Sequence, residues 1–153
     1  MTINTTTPQY DDSYPSCLET RVSLLIYPGD FAPSQVTELL GIQPSEARTA
    51  GSIRKNSDGK EFMQKISVWF LSSEAIIESK DMRRHLDWLL DVLEPSQEKL
   101  KELQKQVGLE MRIGCVWISK AGHGGPTLLP EHMQRMSSLN LECSFDIYFS
   151  STE

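Results

Sequence analysis

Leu141-Glu-Cys-Ser-Phe-Asp-Ile-Tyr-Phe149 alternates apolar and polar side chains with almost no break, and its reading decides the fold. Leu141, Cys143, Phe145, Ile147 and Phe149 share one face of a pleated strand; Glu142, Ser144, Asp146 and Tyr148 share the other. Just upstream, Pro130-Glu-His-Met-Gln-Arg-Met-Ser-Ser-Leu139 carries proline in its first turn and Asn140 at its stop, which predicts a short helix. Before it, Met111-Arg-Ile-Gly-Cys-Val-Trp-Ile118 predicts a further strand, ended by the loop Lys120-Ala-Gly-His-Gly-Gly-Pro126. The C-terminal third therefore reads strand, loop, helix, strand.

The same order recurs at the other end. Arg21-Val-Ser-Leu-Leu-Ile-Tyr27 predicts a strand stopped by Pro28-Gly29-Asp30. Pro33 to Gly41 predicts a helix, with Val36, Leu39 and Leu40 at helical spacing and Gly41 at the stop. Residues 42–60 are irregular, with a turn at Asp58-Gly59. The run from Glu61 to Ser72 predicts a strand whose Ile66, Val68 and Phe70 point one way, and whose Ser67, Trp69 and Leu71 point the other. Between the halves, a helix capped at Ser79 has the stripe Met82, Leu86, Leu89, Leu90, Leu93. Pro95 breaks it, and a second helix carries Leu100, Leu103 and Val107 inward before stopping at Gly108.

Two strand–helix–strand units joined by a long helical segment predict an α+β domain of ferredoxin-like type. Its mostly antiparallel sheet has four or more strands, its helices lie on one face, and each half contains a right-handed crossover. A hairpin within residues 46–65 would extend the sheet to five or six strands. Residues 1–20 are rich in Thr, Asn, Pro, Asp and Ser and are expected to form a loose, disordered arm, leaving 21–153 as the single domain.

The 153 residues match one ordinary domain, and 39% hydrophobic content supports a core. Fifteen basic against 21 acidic residues give a net charge of −6, which disfavours nucleic acid and anionic membrane as partners. Cys17, Cys115 and Cys143 are too few and too odd in number for a disulfide framework, so a reducing compartment is expected. The N-terminus lacks the basic and apolar regions of a signal peptide, and no apolar run approaches the roughly 18 residues of a membrane span. The expected compartment is the cytoplasm.

No G-x-S-x-G, P-loop, G-x-G-x-x-G after a strand or H-E-x-x-H is present. His85, His123 and His132 are far apart and have no zinc-like spacing with cysteine, so neither a metal nor a cofactor is expected. Three features compete for function. The loop Gly122-His-Gly-Gly-Pro126 offers backbone N–H groups to an anion, with His123 as acid or base, although a glycine-rich turn explains it equally. Arg48, Arg54, Lys55, Lys60 and Lys65 make a basic stretch in an acidic chain, and it reads either as an anion grip or as a solvated loop.

The third feature is an apolar second sheet face. If helices cover Val22, Leu24 and Ile26 together with Ile66, Val68 and Phe70, the opposite face receives Tyr27, Trp69, Leu71, Val116, Ile118 and Tyr148. A sheet covered on one side should be polar there. Either the chain folds across it or a partner does.

Leu40-Gly-Ile-Gln-Pro-Ser45, Trp69-Phe-Leu-Ser-Ser73 and Phe145-Asp-Ile-Tyr148, in that order, resemble a bacterial family of small domains of unknown function, numbered four-two-seven-nine. The resemblance covers about residues 20–150 and implies stand-alone cytoplasmic proteins with no assigned catalytic residues. Small acidic proteins of this kind are often immunity or accessory proteins that mask a partner, an analogy at the level of class. The leading expectation is a non-catalytic protein of immunity or regulatory type that recognises a protein partner through Tyr27, Trp69 and Tyr148, with Asp146 as a polar anchor. The second is a sensor of a small anionic ligand or metabolite using Arg48, Arg54, Lys55, His123 and Gly124. An enzyme using His123 ranks third.

Overall fold

The computed structural model describes residues 9–150. Its central strand is β1 (Cys17–Tyr27), which buries Val22, Leu24 and Ile26 on one face and leaves Arg21, Ser23, Leu25 and Tyr27 half-buried on the other. Alternation along one strand separates two environments in this way. β1 pairs antiparallel with β5 (Val68–Ser72) on one side and with β6 (Glu110–Ser119) on the other. Beyond them lie β2 (Glu46–Arg48), antiparallel to β5, and β7 (Cys143–Phe149), parallel to β6. The five-stranded mixed sheet therefore runs β2-β5-β1-β6-β7, while β3 (Ile53–Lys55) and β4 (Glu61–Met63) form a separate two-stranded ribbon around the Asp58-Gly59 turn.

α1 (Pro33–Leu40), α2 (Met82–Leu93), α3 (Gln97–Gln104) and α4 (Pro130–Ser138) all contribute to one core against one sheet face. Val36 and Leu40, the α2 leucines, Leu100 and Leu103, and Met136 meet Val22, Leu24, Ile26, Trp69, Leu71, Ile113 and Cys115 there. Gly41, at φ 68°, ends α1 in the left-handed conformation that glycine adopts without steric cost. Pro95 sits in a 3-10 turn over Glu94–Ser96 and separates α2 from α3, because a proline ring clashes with the carbonyl one turn earlier. Among the described residues no helix is long and apolar enough to cross a membrane.

The α+β class is the expected one, but the strands do not interleave in the ferredoxin-like order. That order would put β7 beside β1; instead β7 lies outside β6, and β5 pairs directly with β1. Only β6–α4–β7 makes a parallel crossover. The long segment 41–67, which carries β2 and the ribbon, lets the chain enter β5 from the opposite end and return antiparallel to β1. The expected hairpin within 46–65 exists, but as the detached ribbon; β2 is the strand that widens the sheet.

Several local expectations also shift. β1 begins at Cys17 rather than Arg21, and residues 9–16 are tied to the body of the protein by hydrogen bonds described below. Residues 1–8 of the expected arm lie outside the described residues. Asp81, not Ser79, caps α2, accepting a hydrogen bond from the Arg83 N–H. Ser79 donates instead to Asp12. Val107 lies beyond the end of α3 and is 99% exposed rather than inward.

Candidate functional site

β7 is the outer strand of the sheet, and its ladder to β6 fixes which backbone groups remain open. The Ile113 N–H donates to the Glu142 carbonyl at 2.9 Å, and the Ser150 N–H donates to the Ser119 carbonyl at 3.1 Å. Between those bonds the parallel register runs from Ile113 opposite Cys143 to Ser119 opposite Phe149. In such a ladder alternate residues bond to the neighbour, so Ser144, Asp146 and Tyr148 turn their peptide groups to β6. Phe145, Ile147 and Phe149 turn theirs outward, and among the described residues no strand pairs with that side.

The side chains on this edge are apolar and open. Phe145, Ile147, Tyr148 and Phe149 are 40%, 41%, 55% and 68% exposed. The register sets Phe145, Ile147 and Phe149 on the helix-covered face, with Cys115, Trp117 and Ser119, and Asp146 and Tyr148 on the other face, with Val116 and Ile118. The short α4 above this end buries Met136 and His132 but leaves the edge aromatics uncovered. A long apolar edge with free N–H and C=O groups is a template for another strand.

The four residues expected to bind a partner divide. Asp146 and Tyr148 are exposed on β7. Tyr27 is half-buried and already engaged: its ring meets Phe70 edge-on at 5.7 Å, and the Arg112 guanidinium lies 5.5 Å from its centre. Trp69 is fully buried on the helix side, where its indole N–H donates to Thr37 Oγ1 at 2.9 Å. The pairing of Ile26 with Trp69 and Leu24 with Leu71 turns Trp69 and Leu71 to the core and leaves Val68 and Phe70 on the second face, the reverse of the expectation. Ile66 precedes β5 and is 56% exposed. A shift of one residue reverses every side chain of a strand, and a strand apolar on both faces gives no local sign of which is inward.

The residues expected to hold an anion are not brought together. Arg48 pairs with Glu46 on β2, Arg54 lies over the Phe62 ring at 5.8 Å, and Lys55 is exposed on the ribbon. His123 and Gly124 follow the end of β6 that pairs with Cys17, whereas Arg48 pairs with Val68 beyond the Tyr27 end of β1. These are opposite ends of the sheet. The His123 side chain is exposed, and its carbonyl accepts from Ser119 Oγ at 2.9 Å. Gly124, at φ 83°, approaches the N-terminal segment so closely that a Cβ there would lie 2.5 Å from Ser16 Oγ. The glycine-rich turn thus serves chain packing.

Two polar clusters are closed to solvent, and sequence spacing alone did not assemble either. In the first, Ser73 Oγ accepts from the Val22 N–H, and His85 Nδ1 lies 2.7 Å from the same hydroxyl. His85 Nε2 lies 2.8 Å from the Ser79 carbonyl, so it carries the proton, and Nδ1 accepts from the serine O–H. Burial holds this imidazole below its ordinary pKa. With Ser73 and His85 both enclosed, the hydroxyl meets no substrate.

The second cluster centres on Asp87. Its carboxylate accepts from Tyr10 Oη at 2.6 Å, His132 Nε2 at 2.8 Å and Arg135 Nη1 at 3.1 Å. Nδ1 of His132 accepts the Leu129 N–H, and Arg135 also reaches Asp91 and Glu94. Burial, then the Asp87 carboxylate, pushes the Tyr10 phenol up. The cluster joins residues 9–16, α2 and α4, and leaves no group free for chemistry.

No significant match to the chain was found among curated proteins or solved structures. One family model, described as Domain of unknown function (DUF4279), matches residues 18–150, from the second residue of β1 to just past β7. With nearly its whole length matched, the chain belongs to the DUF4279 family.

Proposed function

We propose that the protein is a non-catalytic binding protein that takes an extended segment of a protein partner along β7. The observation that carries this reading is the outward set of peptide groups at Phe145, Ile147 and Phe149, beside four exposed apolar side chains. Backbone pairing at such an edge supplies affinity, and alternate side chains supply selectivity. Tyr148 and Asp146 keep the anchoring roles expected from the sequence; Tyr27 supports the second face, and Trp69 supports the core.

Charge selects the kind of partner. Asp146 is the midpoint of Cys143–Phe149, so a second copy pairing antiparallel over the full strand would set Asp146 against Asp146. Like charges directly opposite destabilise a strand pair, and the net charge of −6 adds to the repulsion. A different protein with a basic residue opposite Asp146 removes that conflict. Masking of such a segment is the action an immunity or regulatory protein performs.

The test is selection from a library of random extended peptides displayed singly. The wild type is expected to select apolar-alternating peptides with a central Lys or Arg. Ile147→Pro removes one outward N–H while sparing the β6 ladder, and proline is accepted on edge strands. It should weaken those peptides about tenfold or more, equivalent to about 1.4 kcal/mol, with the circular dichroism unchanged. Asp146→Lys should redirect selection to acidic centres. Failure of the wild type to select any peptide, or equal binding by Ile147→Pro, contradicts the reading.

A further inference from the structure

Two of the three cysteines and three of the six methionines converge between α4 and the β6–β7 edge. The sulfurs of Cys115 and Cys143 lie 3.5 Å apart, and both thiols are free. Cys115 is buried beneath, while Cys143 is partly exposed and opens on a cleft of about 550 Å³ that Met111, Met133 and Met136 also line. This gathering is independent of the outward peptide groups that support strand pairing.

The pair is poorly placed for a disulfide. Cys143 stands opposite Ile113, and Cys115 opposite Phe145, so the two cysteines are diagonal neighbours. A strand spacing of about 4.8 Å and a two-residue rise of about 6.6 Å give a Cα separation of about 8 Å. A disulfide requires less than about 7 Å unless the backbone moves. An ion is not so limited. With metal–thiolate bonds of about 2.3 Å, an ion touching both sulfurs at their present separation subtends about 100° between them, an angle suited to a tetrahedral or distorted trigonal site.

The geometry points to a site for a soft monovalent metal ion, copper(I), bound by Cys115 and Cys143 and completed by methionine thioether from the cleft. Ligand type selects the ion. Among the described residues no group of three or more His, Cys, Asp or Glu side chains is placed to hold a metal, so zinc lacks its usual ligand set. Thioether and thiolate together favour copper(I). Binding converts two thiols and Cu⁺ into a bis-thiolate complex of charge −1 and releases two protons, with no change of oxidation state. The contact with Cys143, together with burial, keeps the Cys115 thiol protonated in the free protein, and the metal displaces that proton.

The experiment titrates the reduced protein with copper(I) under anaerobic conditions against a chromophoric copper(I) chelator. One ion per chain is expected to stay with the protein, with a sulfur-only shell of at least three ligands by X-ray absorption. Cys143→Ser should weaken binding about a hundredfold. Cys17→Ser should leave it unchanged, and both variants should keep the wild-type circular dichroism. Should the chelator strip the wild type completely, or Cys143→Ser hold the ion equally well, or the shell contain nitrogen or oxygen, the assignment is overturned. Formation of a Cys115–Cys143 disulfide with peroxide, in a protein that retains no copper(I), overturns it as well.

Discussion

Trp69→Ala is expected to lower the stability of the protein by about 3–5 kcal/mol, the usual cost of emptying a large aromatic site in a core. Trp69 has no solvent exposure and stands opposite Ile26 in the β1–β5 pairing. It occupies the single core that joins sheet and helices. Truncation removes this packing and leaves Thr37 Oγ1 without its indole donor. Against a typical stability of 5–15 kcal/mol, the loss is a large part of the total. Urea unfolding followed by circular dichroism reads it as a lower midpoint with an unchanged slope. Tyr148→Ala, on the exposed edge, should stay within about 0.5 kcal/mol of the wild type. A loss below about 1 kcal/mol for Trp69→Ala would mean that the β5 register is wrong.

Asp87→Ala is expected to cost about 3 kcal/mol and to free the segment 9–16. The carboxylate is 16% exposed, and it holds Tyr10, His132 and Arg135 together. Without it the buried His132 N–H loses its acceptor, and Arg135 keeps only Asp91 and Glu94, which are more exposed. Stranding a buried donor costs about 1–3 kcal/mol, and hydrogen bonds to charged groups contribute about 1.5–3 kcal/mol. Tyr10→Phe removes one arm alone and should cost about 1 kcal/mol. Urea midpoints give the energies, and limited proteolysis between residues 9 and 16 reports release of the segment. Equal midpoints for Asp87→Ala and the wild type would remove the cluster from the account of stability.

Most elements were legible because local chemistry determines them. Pro33 and Gly41 bracket α1, Pro95 splits the central helices, and Asn140, at φ 54°, follows α4 in the left-handed conformation. Strand alternation located β1, β6 and β7 to within a few residues. What alternation does not carry is the neighbour of each strand. The run Val68-Trp-Phe-Leu71 is apolar at every position, so only the pairing with β1 decides that Trp69 faces inward.

The same limit hid the candidate site. Phe145, Ile147 and Phe149 lie on the face the sequence assigned to the core, and the register agrees. They are exposed because β7 is last in the sheet, a property of topology that no local pattern records. The polar pair Ser144 and Asp146 on an otherwise apolar strand was the available sign, since edges are commonly guarded by charge. Likewise, Cys115 and Cys143 meet only because β7 runs parallel to β6.

Backbone hydrogen exchange along 144–149, resolved by residue, tests the open edge most directly. With β7 paired on one side only, the N–H groups of Ser144, Asp146 and Tyr148 should exchange slowly, and those of Phe145, Ile147 and Phe149 quickly. Slow exchange at all six positions would show the second side of β7 already covered, and would contradict the binding edge.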